Sequence, residues 1–210
     1  MLMPAFDSTI LAQRLMKMDS HRQLAFGASC CERLLPNYQM FHLETGYGGV
    51  QPLKDALGYA WIRTSETRGE YANEAHAAND KIYLLIRACE NAAPQTEDFT
   101  SLYVTAAQDA CFAICCCLDF LLDSDVEKIT QVAAYATDSV DLYIQEIEAL
   151  QPHDPNLEEK ILSHFLMQRE LLRQEEALRI LESSAFLKVE ARQQLSTTWD
   201  EDFSGNLACH

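Results

Sequence analysis

The stretch Ala110-Cys-Phe-Ala-Ile-Cys-Cys-Cys-Leu-Asp-Phe-Leu-Leu122 is the most apolar in the chain, with one charged residue in thirteen. A helix that is apolar on nearly every face belongs at the centre of a core. Asp109 and Asp119 interrupt the run, which falls short of the roughly 20 uninterrupted apolar residues that a membrane span needs. The stretch therefore predicts a central helix from Leu102 to Leu122. The remaining segments predict an all-α, single-domain helical bundle of about seven to eight helices packed around it.

Downstream, Asp123-Ser-Asp125 ends this helix, and Ser124 with Glu127 forms an S-x-x-E capping box for the next one. There Val126, Ile129, Ala133, Ala136, Val140, Tyr143, Ile147 and Leu150 alternate by three and four, the pattern of a helix lying nearly antiparallel on a neighbour. Pro152 and Pro155 break the pattern, and Asn156 caps a long helix to about Ser183. A short helix around Phe186 to Leu195 closes the domain, 1–195. The acidic tail 196–210, with Asp200, Glu201 and Asp202, is expected to fray.

Upstream, Glu97 and Asp98 suit the first turn of the central helix. Earlier helices are predicted from Thr9 to Met18 behind a Ser8 cap, from Ser20 to Leu35, from Asn37 to Glu44, from Pro52 to Ser65 and from Tyr71 to Asn91. Pro36 is read as an interruption, because an interior proline loses a hydrogen bond and clashes with the preceding turn. Gly46 is read as a left-handed C-cap. Thr45-Gly-Tyr-Gly-Gly49 is a helix connector, since neither a preceding strand nor a suitably placed lysine supports a phosphate loop.

The net charge is −16, and residues 1–50 hold four basic and four acidic residues, so the whole excess lies beyond them. Between Arg87 and Lys160 the sole basic residue is Lys128, against fifteen Asp and Glu. Such a surface repels phosphate backbones and anionic headgroups, which makes nucleic acid and membrane poor partners. It is either a solvated face or a docking face for a basic partner or cations. The opening residues Met1 to Asp7 lack the basic and apolar regions of a signal peptide, and a cytoplasmic protein is expected. Consecutive Cys115, Cys116 and Cys117 and adjacent Cys30 and Cys31 suit buried, reduced thiols.

Cys111 and Cys115 share a helix face, but zinc needs about two more ligands and the chain has no C-x-x-C pair. No Glu precedes a His by three, as a di-iron bundle requires. No cofactor or metal is therefore expected. The polar residues that stand out are Glu32, Arg33, Asn37 and Tyr38, flanking Pro36, together with Asp109 at the mouth of the central helix. A charge entering an apolar helix is costly unless paired, so Arg33 is the partner proposed for Asp109. This group is either a structural ion pair or a site.

The text Cys31-Glu-Arg33, Pro36-Asn-Tyr38, Phe41, Thr45-Gly46, Gly48, Trp61 and Asp109-Ala-Cys111 resembles the YjaG-like family of uncharacterised bacterial proteins, a domain-of-unknown-function family. Gly49 and the triple cysteine depart from that pattern. The resemblance implies a cytoplasmic, all-helical protein and transfers no activity. No complete catalytic constellation is present. The leading expectation is thus a non-enzymatic helical protein acting through protein contacts, with a homodimer as one form. The alternative is a small-molecule or metal-binding protein, or an enzyme, built on Glu32, Arg33, Tyr38 and Asp109.

Overall fold

The structure, a computed structural model, describes residues 6–65, 75–183, 185, 190–196 and 206–207. Among them lie nine α-helices: α1 (Ser8–Leu15), α2 (Ser20–Thr45), α3 (Val50–Ser65), α4 (Ala75–Ala92), α5 (Val104–Asp123), α6 (Val126–Ile147), α7 (Leu157–Ser163), α8 (Phe165–Glu182) and α9 (Ala191–Leu195). A 3₁₀ turn spans Thr96–Asp98, and no strand occurs among the described residues. The all-α, single-domain reading stands.

The apolar stretch is the core of α5, which packs against α2, α3, α4 and α6. Its length and composition would allow it to cross a membrane, but 67% of its most apolar window is buried inside the protein. The centre is shared with α2, fifteen of whose 26 residues are buried. Small side chains let these helices approach closely. A Cβ at Gly27 of α2 would lie 2.9 Å from both Cys117 Sγ of α5 and Ile129 Cδ1 of α6, which marks the point where the three helices meet. A second apolar cluster, with Val140, Ile144, Ile161, Leu166 and Leu171, joins α6 to α7 and α8.

Local chemistry explains where the boundaries depart from expectation. Pro36 does not interrupt α2, which continues to Thr45. An interior proline costs about 3 kcal/mol, but Leu34, Leu35, Asn37, Tyr38 and Phe41 around it are all buried, and tertiary packing overrides that penalty. Aspartates cap in place of serines: Asp7 accepts from Thr9 N and Ile10 N, and Asp125 accepts from Glu127 N. Ser124 instead takes the left-handed conformation that closes α5. Glu97 and Asp98 sit in the separate 3₁₀ turn. The helix expected from Asn156 to Ser183 divides at His164, whose backbone is extended and whose Nδ1 accepts from Leu166 N. Tyr71 and Phe186, where two helices were expected to begin, lie outside the described residues, as does most of the tail, although Asn206 and Leu207 are buried.

The glycines after α2 have separate structural tasks. Gly46 has φ 70° and closes the helix by donating to His42 O. Gly48 has φ 65°, and a Cβ there would overlap the Tyr38 hydroxyl. At the end of α6 the corresponding left-handed position is held by Ala149, with φ 51°; Leu150 N there donates to Gln145 O at 2.8 Å. An L-residue in this conformation is strained by about 1–2 kcal/mol. Ala149→Gly should therefore raise stability by about 1 kcal/mol, whereas Gly48→Ala should lower it. Chemical denaturation of both variants checks this, and a destabilised Ala149→Gly would contradict the strain.

Candidate functional site

The five polar residues singled out in the sequence do not converge on one cavity. Arg33 and Tyr38 are wholly buried, Asn37 is 2% exposed and Asp109 is 8% exposed. Glu32, near the surface of the bundle, accepts from Trp61 Nε1 of α3 at 2.8 Å and pairs with Arg192 of α9 at 2.7 Å. Tyr38 donates its hydroxyl hydrogen to Ala92 O at the end of α4 and joins the edge-to-face aromatic group of Phe41, Tyr47 and Phe99. Glu32 and Tyr38 thus tie α2 to different neighbours.

Arg33 does not meet Asp109. Its guanidinium forms a bidentate pair with Glu170 of α8, Nε to Oε2 at 2.9 Å and Nη2 to Oε1 at 2.8 Å, and both side chains are fully buried. The remaining donors are occupied too, Nη1 by Ser29 O at 3.1 Å and Nη2 also by Cys30 Sγ at 3.2 Å. Burial alone would lower the Arg33 pKa, but Glu170, aided by Cys30, raises it above its ordinary value. Gln174, one turn along α8, donates to Glu170 Oε1 at 3.0 Å. Asn206 extends the seam: its Oδ1 accepts from Asn37 Nδ2, its Nδ2 donates to Ala136 O at 2.9 Å, and its own carbonyl accepts from Arg169.

Sequence reasoning missed Glu170, Gln174 and Asn206. A signal for the first two exists, because they occupy positions in the buried stripe of α8 otherwise filled by Leu166, Met167, Leu171, Ala177, Leu178 and Leu181. A polar residue at such a position calls for a buried partner. Asn206 carries no comparable signal.

Asp109 meets a different partner: its Oδ2 lies 2.8 Å from Ser139 Oγ of α6. Burial pushes its pKa up to about 7; donation from Ser139 opposes the shift, and the Asp138 carboxylate adds to it. The Ser139 hydroxyl also lies 2.8 Å from Tyr135 O, yet has one hydrogen to give. A protonated Asp109 donating to Ser139 frees that hydrogen for Tyr135 O and satisfies both contacts.

Ser139 also lines a cleft of about 750 Å³ between residues 99–106 and residues 139–151. None of its described lining residues is a cysteine. The seven cysteines among the described residues are free; burial pushes Cys30 and Cys116 up to about 12, which holds both as thiols at neutral pH. No cluster of three or more His, Cys, Asp or Glu suited to a metal occurs among the described residues. What the geometry defines is an all-helical single domain whose buried polar seam joins its helices rather than opening to a substrate.

Residues 10–208 match the family described as "Protein of unknown function (DUF416)", and the chain belongs to that family. Over 103 residues it is 29% identical to the uncharacterised protein YjaG of Escherichia coli K12, a match covering 48% of this chain and 47% of that one. The corresponding YjaG of Salmonella typhimurium LT2 is 27% identical over the same length. The chain thus matches about half the length of these curated relatives. A crystal structure of a DUF416 family protein from Shewanella baltica OS155 superposes with a TM-score of 0.76 over 89% of this chain and 92% of that one. At 23% identity, that likeness concerns the fold.

Arg33→Ala would strand a carboxylate in low dielectric and should cost roughly 3–5 kcal/mol, while Arg33→Met combined with Glu170→Leu should recover much of the loss. A double-mutant cycle read by denaturation checks this, and a coupling energy near zero contradicts it.

Asp109 generates a pH prediction with a defined sign. Its pKa in the folded chain exceeds the ordinary 3.8 of the unfolded one, so the folded state retains the proton between pH 4 and 7. Stability from this group is complete below about 4 and is lost as pH rises through about 7, a difference of up to roughly 4 kcal/mol. Asp109→Asn should flatten that fall. An unchanged pH profile in the variant would refute the assignment.

Proposed function

We propose that the protein is a non-enzymatic, cytoplasmic helical protein that acts through contact with another protein. The observation that carries this reading is the disposition of its polar groups. The chemically capable ones, Arg33 and Glu170 above all, are buried and bound to one another, and a group that no substrate can reach does no chemistry. What faces solvent is acidic and also carries large apolar side chains, among them Leu43, Leu84 and Met16, each more than 60% exposed. Such side chains on an acidic surface are available to a partner that brings apolar and basic groups. A homodimer is one form of such association.

The cleft between residues 99–106 and 139–151 supports a second reading, a small-molecule-binding protein, because its volume of about 750 Å³ lies in the range of ligand pockets. Glu32, Arg33, Asn37 and Tyr38 are not among its lining residues, so the group proposed from sequence would not form that site.

Size-exclusion chromatography of the protein in a native bacterial extract distinguishes the readings. The expected result is elution above the monomer mass in a complex that survives removal of small molecules by desalting. Elution as a monomer, with a small molecule detected on it by native mass spectrometry, would contradict the contact reading.

A further inference from the structure

The cleft between the start of α5 and the end of α6 has a chemistry more specific than its volume. Its two walls carry Leu102 and Leu142, which are 49% and 47% exposed, with Leu150 between the helix ends. Among polar neighbours such as Thr100, Thr105 and Gln151, these exposed leucines leave apolar surface uncovered in one depression. None of the described lining residues is Lys or Arg. Carboxylates stand on both sides instead. Glu146 lines the cleft on the α6 wall, and the lining Gln145 donates to Asp141 at 2.6 Å. On the other wall Ser101 donates to Glu44 Oε2 at 2.6 Å, and Glu97 and Asp98 immediately precede Phe99.

From this we infer that the cleft is the docking site for a cationic amphipathic helix of a partner protein. Resting on the contact reading above, the inference names the partner's chemistry and where it sits. The apolar side of such a helix buries Leu102, Leu142 and Leu150, as in helix-in-groove recognition. Its lysines or arginines face Glu146 on one wall and Glu44, the partner of Ser101, on the other, and this complementarity sets orientation and speeds encounter. An acidic or neutral helix gains the apolar contact and meets repulsion or nothing at the rims. The stretch between Arg87 and Lys160, with one basic residue against fifteen acids, extends the same attraction well beyond the cleft.

The test uses the full chain and three labelled synthetic helices of about 18 residues, or five turns: an amphipathic Leu/Lys peptide, the same pattern with Glu for Lys, and a scrambled Leu/Lys peptide. Fluorescence anisotropy is expected to show the amphipathic Leu/Lys peptide binding at least about tenfold more tightly than either control. Leu142→Glu and Glu146→Lys should each weaken it by about tenfold with the unfolding midpoint unchanged; Leu102→Ala, a milder truncation, should weaken it in the same direction. Equal binding of the scrambled peptide would reduce the effect to general charge attraction and overturn the inference. So would binding that ignores the three cleft variants, or no binding at all. A dimer of the free protein that dissociates with those variants would assign the cleft to a second copy and overturn it as well. If the complex seen in native extract persists in the cleft variants, the contact reading survives and this assignment of its site does not.

Discussion

The pair between Arg33 and Glu170 is the constraint around which the rest of the molecule is arranged. Two charges removed entirely from water tolerate little displacement, because each depends on the other for its solvation. Glu170 must therefore face Arg33, and that fixes the rotation and height of α8 against α2. Gln174 and Asn206 continue the same seam to Ala133 O and Ala136 O of α6, so three helices and a C-terminal residue are held by one connected set of polar contacts. The apolar core supplies the bulk of the stability, and the polar seam supplies register. In a core built from Ala, Cys, Leu and Gly, where many helix rotations would bury similar area, such a device selects one.

The residues that carry the family resemblance gain a physical meaning from this arrangement. Arg33 holds α8, Asn37 holds Asn206, Glu32 accepts from Trp61, and Tyr38 caps Ala92 O beneath Gly48, where a side chain has no room. Asp109 meets Ser139 of α6. Each side chain joins α2 or α5 to a different part of the bundle. In three dimensions these side chains fasten the helices to one another.

How much of this was legible in the sequence follows from which forces are local. The apolar run at 110–122, the period of α6 through Val140 and the Gly46 cap depend on neighbours a few residues away, and the sequence reading found them; past Val140 the structure buries Ile144 and leaves the expected Ile147 exposed. The continuity of α2 through Pro36 depends on burial by helices far along the chain, so local rules broke it. The Arg33 partner was misassigned because two candidates, Asp109 and Glu170, satisfy the same electrostatic need, and 137 residues separate Arg33 from the one chosen. The clue was Glu170 standing in the apolar stripe of α8. The cleft was not legible at all, because it exists in the space between two helix ends rather than in any residue pattern.

Native-state hydrogen exchange tests most directly whether the seam binds α8 into the same cooperative unit as α2 and α5. The account predicts that amides around Glu170 and Gln174 exchange through the same global opening as those of Leu34 and Ile114 in the two central helices. Amides of α8 that exchange through a separate, lower-energy opening, while α2 and α5 remain protected, would contradict it.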